Sequence, residues 1–146
     1  MTKKETEVIG SFLDLNLQDV PELTALPEGE YELRLNKLEL RTVNNSASTY
    51  NGAQFLLCSF EVPSEPTSKG ISHTLFLPRD VDDEKTRNNR LRGIKTFCEA
   101  FGIDFSHGLD IDEISSSAAT GWALLKIEED AEYGEQNRIR RFIVAA

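Results

Sequence analysis

The sequence predicts a mainly β domain with one main helix, its elements ordered strand, strand, strand, helix, strand, strand. Three observations carry this. Five segments alternate apolar and polar residues with the period of two that a half-buried strand requires. One segment differs: Leu91, Ile94, Phe97, Cys98 and Phe101 recur at three- and four-residue spacing, the mark of an amphipathic helix. Composition supplies a core, since 39% of the 146 residues are hydrophobic and 28% charged, the profile of one globular domain.

Residues 1–26 are polar and acidic with scattered apolar positions, and Pro21 and Pro27 punctuate their end. They read as a loosely held arm with one short helical turn near Val8–Leu13, and residues 27–146 as the folded domain. LPEGEY is a turn signal before the first strand, about Glu30–Val43. Tyr31, Leu33 and Leu35 alternate in one phase, and Leu38 and Leu40 in the other. The phase slips near Asn36–Lys37, as one inserted residue makes it do. NNSASTYNGA is a loop that contains Tyr50.

The second strand, about Gln54–Val62, sets Leu56, Cys58, Phe60 and Val62 on one face and Phe55, Leu57, Ser59 and Glu61 on the other. The third, about Gly70–Leu77, sets Ile71, His73, Leu75 and Leu77 against Ser72, Thr74 and Phe76. PRDVDDEK places acids at the start of the helix, where its dipole favours them, and Gly102 stands where a C-terminal cap belongs. Residues 103–119 connect onward, with a short turn at Asp112–Ile114. The fourth strand, about Gly121–Glu128, and the fifth, about Asn137–Val144, flank the polar loop EDAEYGEQ. On the fifth strand the alternation puts Arg138, Arg140 and Phe142 on one face and Ile139 and Ile143 on the other. A bulged first strand and a helix between strands three and four describe a five-stranded OB-fold barrel.

The net charge of −9 argues against a polyanionic partner until its distribution is considered. Residues 1–33 carry −6, 34–98 carry +3, 99–135 carry −9 and 136–146 carry +3. Two basic concentrations result. KTRNNRLRGIK has the pattern of a solvated helix face, and RIRR lies on the last strand.

Several chemistries find no support. His73 and His107 have no serine or cysteine setting for nucleophilic catalysis. Cys58 and Cys98 sit among apolar neighbours and read as reduced core cysteines of a cytoplasmic protein. No zinc spacing and no phosphate-binding glycine loop occurs, so neither a metal nor a cofactor is expected. Asp110, Asp112 and Glu113 read as a solvated acidic loop, and a metal-dependent nuclease built on them would need magnesium for cleavage. No apolar run has the length of a membrane span, and the N-terminus lacks an export signal.

Single-strand binding needs a cationic groove and flat side chains that accept base faces. On an OB barrel that groove crosses strands two and three between two loops. The outward phase there offers Phe55 and Phe76, and the flanking loops offer Tyr50 and Tyr133. Arg34, Lys126, Arg138 and Arg140 supply cations from strands one, four and five. Trp122 reads as a packing residue rather than a stacking one.

The segments LPEGEYELRL, AQFLLCSFEV, RLRGIKTFCEAFGI and EYGEQNRIRRFI, in this order, resemble a family of phage and prophage OB-fold proteins that bind single-stranded DNA. The similarity spans about residues 27–143, and its most specific pieces are PxGxY before strand one and YGxxNxI(K/R) before strand five. The resemblance implies a DNA-coating role in replication and recombination, inside an infected bacterial host, without enzymatic activity. It places Phe55 at a surface aromatic position, and Tyr133, Asn137, Arg138 and Arg140 on the last-hairpin motif. Partners implied by the resemblance are single-stranded DNA and replication or recombination proteins; separately, the edge strands of a small barrel can pair between copies of the chain, so self-association is a further expectation. Many single-strand binders recruit partners through an acidic C-terminal tail; RRFIVAA, the last segment of this sequence, has no such character, so recruitment of that kind is not expected. The competing expectation is a protein-interaction or assembly module of the same architecture, with no nucleic-acid role.

Overall fold

A computed structural model describes residues 8, 9 and 11–145; residues 1–7 of the expected arm, Gly10 and Ala146 lie outside the described residues. The arm does not form the expected helical turn. Val8–Ile9 (β1) and Phe12–Leu13 (β2) pair antiparallel, with Val8 opposite Leu13 and Ile9 opposite Phe12. β-Branched Val8 and Ile9 favour extended backbone, and a helix this short has too few bonds to offset its nucleation.

Five longer strands form one antiparallel sheet: Gly29–Thr42 (β3), Gln54–Glu61 (β4), Ile71–Phe76 (β5), Thr120–Asp130 (β6) and Gly134–Ile143 (β7). Their order across the sheet is β5-β4-β3-β6-β7. β3 is shared. Gly29–Arg34 pairs with β6, and Arg34–Thr42 pairs with β4. Asn36 is the inserted residue, because the register passes from Leu35 opposite Phe60 to Lys37 opposite Ser59. The amides released where β3 changes partner are satisfied locally. Leu35 N–H donates to the Ala119 carbonyl at 2.8 Å, and Leu38 N–H to Ser115 Oγ at 2.9 Å.

Glu84–Ala100 (α1) follows β5 in the chain and Ile111–Ser115 (α2) precedes β6. Asp83 caps α1 by accepting from Thr86 N–H at 2.8 Å. The far end closes with Ile103 N–H on the Cys98 carbonyl and Gly102 N–H on that of Glu99, a Schellman arrangement that Gly102 permits at φ 64°. Asp110 caps α2, and Asp112 and Glu113 occupy its first turn, so the acids of this segment have a helix-starting role.

The expected barrel is not closed by backbone pairing. β5 and β7 approach each other, and α1 packs against both, but no ladder joins the two strands. Side chains fill the seam instead. Phe142 turns inward against His73 at 5.2 Å, Phe97 at 5.5 Å and Phe101 at 5.8 Å between ring centroids. Phe60 joins the same cluster from β4. The rest of the core comes from the alternate residues of the strands, among them Leu33, Leu35, Leu56, Ile71 and Leu125. Cys58 and Cys98 are buried and unbonded, and burial pushes the Cys58 thiol up to about 12, with the neighbouring Cys98 adding to it.

Both short motifs prove to be fasteners of this core. In PxGxY the Tyr31 hydroxyl donates to the Pro27 carbonyl at 2.8 Å. In YGxxNxI the buried Asn137 accepts from Leu26 N–H at 2.7 Å and donates to the Leu26 carbonyl at 2.9 Å. The arm's end is thereby held to the last hairpin.

Candidate nucleic-acid interface

Residues opposite each other on antiparallel strands share a face, so the registers assign the outer surface directly. Arg41, Phe55 and Phe76 form one outward row across β3, β4 and β5. Glu39, Leu57 and Thr74 form the next, then Lys37, Ser59 and Ser72, with Arg34 opposite Glu61 at the β3 side. β5 has six residues, so this face is about 17–20 Å long.

Aromatic groups cluster at one end. The Phe55 and Phe76 rings lie 5.5 Å apart, and Tyr50 reaches in from the β3–β4 loop to 6.1 Å from Phe76. Tyr50 is 48% exposed and the two phenylalanines are half-buried. Two arginines attend the cluster. Arg79 lies 5.6 Å from the Tyr50 ring centre, and Arg90 lies 5.5 Å from that of Phe76. Both face Asp82, at 3.9 Å and 3.6 Å respectively. The buried Nε of Arg79 has no hydrogen-bond partner among the described residues. At the other end the β6–β7 hairpin is tied down by Lys69, whose Nζ donates to the carbonyls of Tyr133 and Glu135 at 3.1 Å and 2.7 Å. Lys69 stands just before β5, so the Tyr50 and Tyr133 loops bound the two ends of one face.

The cations are organised as pairs around single carboxylates. Lys37 and Arg41 both bond Glu39, at 3.0 Å and 2.8 Å, and these bonds, led by that from Lys37, hold its carboxyl below the usual range. Each such triad keeps one positive charge in excess. A carboxylate between two cations orients them without cancelling them.

The predicted residues therefore divide. Tyr50, Phe55 and Phe76 meet, Tyr133 borders the same face, and Arg34 lies on it but is ion-paired with Glu61. Lys126 and Arg138 stand opposite each other on the outer face of β6–β7, where Glu128 holds both. No hydrogen bond, ion pair or ring contact among the described residues links them to the aromatic cluster.

Arg140 is displaced by a second bulge. Arg141 faces Leu124 and Ile139 faces Leu125, which leaves Arg140 without a cross-strand partner. The expected common face of Arg138, Arg140 and Phe142 does not form, because the extra residue reverses the phase and sends Phe142 into the core. Trp122 is not sealed in packing either. It is 48% exposed on the outer face of β6, between Glu32 and Ile143. Nor is the KTRNNRLRGIK run wholly a solvated face, since Arg90 folds down onto Phe76 and Asp82 with its side chain 18% exposed.

Four cations of the aromatic face escaped the sequence reading. Lys37 and Arg41 were accessible to it, since the slip at Asn36 puts both in the outward phase. Arg79 and Arg90 come from the β5–α1 loop and α1, and only tertiary packing brings them in.

No group of three or more His, Cys, Asp or Glu side chains gathers as a metal site, and no helix is long and apolar enough to cross a membrane, among the described residues. No protein-family model matches the chain, and no curated protein does.

Proposed function

We propose that this chain is a non-enzymatic single-stranded DNA-binding protein of OB-fold architecture, with DNA lying across the outer face of β3, β4 and β5. Strand order β5-β4-β3-β6-β7 with α1 between the third and fourth sheet strands supports the architecture. The observation that carries the function is the Tyr50–Phe55–Phe76 cluster attended by Arg79 and Arg90, with Arg41 opposite Phe55, on a molecule whose net charge is −9. Bases stack on the rings, phosphates follow the excess charge of the triads, and the acidic remainder of the surface repels duplex DNA. Reading base faces rather than edges leaves little sequence preference. Coating of exposed strands during phage replication or recombination is the role that the resembled motifs suggest.

The test is a titration of labelled oligo-dT with single alanine variants. Replacing Tyr50 or Phe76 weakens binding by about 1–3 kcal/mol per lost stack and leaves the salt dependence unchanged. Replacing Arg41 or Arg79 flattens the salt dependence by about 0.7 per lost phosphate contact. Unaltered affinity in all four variants contradicts the placement.

A second reading, a protein-interaction module, draws on the arm. Phe12, Leu17, Val20 and Leu23 are 58–70% exposed there, four large apolar groups left largely uncovered by the described residues. A gel shift with a short single strand at low salt separates the readings, because an interaction module gives none.

A further inference from the structure

A cleft of about 440 Å³ opens where β5, α1 and β7 meet, in the gap that backbone pairing leaves between the outer strands of the sheet. Arg92 of α1 lines it together with Arg140 and Arg141 of β7, and no lining residue is acidic. None of the three arginines has an ion-pair partner among the described residues. That sets them apart from Arg34, Arg41, Arg79, Arg90 and Arg138, each of which faces a carboxylate. Arg92 is positioned by a bond to Asn89 Oδ1 at 2.8 Å. The bulge at Arg140 is what places two successive arginines on this wall, where regular alternation would send one of them across the sheet.

Three like charges gathered in a carboxylate-free concavity repel one another, and an anion relieves that repulsion. Guanidinium forks match phosphate oxygens in geometry as well as charge. We propose that this cleft binds phosphate groups and that, on the single-strand reading above, it holds backbone phosphates of DNA leaving the aromatic face over the edge of β5. The elements give the route. β5 presents Phe76 outward and His73 and Leu75 to the cleft, and α1 sets Arg90 on Phe76 and, two residues on, Arg92 in the cleft. Both basic segments of the chain thus meet at one seam.

Arg92, Arg140 and Arg141 are exposed, so the R92Q/R140Q/R141Q variant keeps the core intact, and its thermal unfolding should match that of the parent. Two titrations test the proposal. In the first, inorganic pyrophosphate is followed through the arginine side-chain NMR resonances, and selective shifts at Arg92, Arg140 and Arg141 are expected. Absence of those shifts at millimolar pyrophosphate overturns the phosphate site. Shifts that track protein concentration without any phosphate also overturn it, because they mean that the acidic arm of a second copy fills the cleft. In the second, oligo-dT binding is measured against salt. The triple variant is expected to lower the slope by about 2, as loss of three single-strand phosphate contacts requires. An unchanged slope in a parent that binds oligo-dT removes the strand from the cleft. A parent that takes pyrophosphate there but no oligo-dT at any salt contradicts the single-strand reading alone, and assigns the cleft to a free phosphate ligand.

Discussion

Asn137 shows how much a single polar side chain decides in this molecule. It is 1% exposed, and its amide satisfies both backbone groups of Leu26, 111 residues away. Asn137→Ala leaves a buried N–H and carbonyl without partners, and a loss of about 1–3 kcal/mol is expected in urea unfolding. Oligo-dT affinity measured well below the transition should not change, which separates a fastener from a ligand contact. The sequence marks this residue only as part of a short motif, and burial explains why the motif requires asparagine: one side chain must accept and donate at once. Residues of the aromatic face were legible to different degrees. Phe55 and Phe76 follow from strand phase alone. Tyr50 follows from its loop but not its contact with Phe76, because a loop's path is set by what it packs on. Arg34 was legible as outward-facing, while its neutralisation by Glu61 depends on the register between β3 and β4.

Among the elements, the five long strands and α1 were all visible in the sequence, since each carries an apolar pattern of strand or helix period over most of its length. The first bulge was visible too, because apolar residues on both sides of Asn36 reveal the change of phase. The second was not. RIRRF offers arginines on either side of the slip, and charged residues carry no burial signal by which to detect it. The consequence is large, since it turns Phe142 inward and separates Arg140 from Arg138. The junction of α1 with β6 was equally hidden. A Cβ on Gly121 would lie 2.6 Å from the Ala100 carbonyl oxygen and 2.8 Å from the Phe101 ring. Backbone cannot yield as a flexible side chain does, so Gly121→Ala is expected to cost about 1–3 kcal/mol, read as a lower urea midpoint at unchanged m-value. A substitution without effect there would mean that helix and strand are not this closely apposed.

At the scale of the whole molecule, charge is sorted rather than summed. The acidic blocks occupy the arm and the α1–β6 connection with the last hairpin, and the basic blocks converge on β3, α1 and β7. Net charge therefore says little about the partner, while local charge, set by fold, says much. The open seam between β5 and β7 belongs to this scale as well. The order of elements along the chain was legible in the sequence, but whether two edges pair or are held apart depends on the size of the rings between them. On the single-strand reading, bases lie on the ring cluster of the β3–β4–β5 face. Photocrosslinking to an oligo-dT carrying bromodeoxyuridine, followed by mapping of the modified peptides, reports that placement residue by residue. Adducts at Tyr50, Phe55 or Phe76 are predicted, and adducts confined to Trp122 on the β6–β7 face, or none at all under low salt, would contradict it.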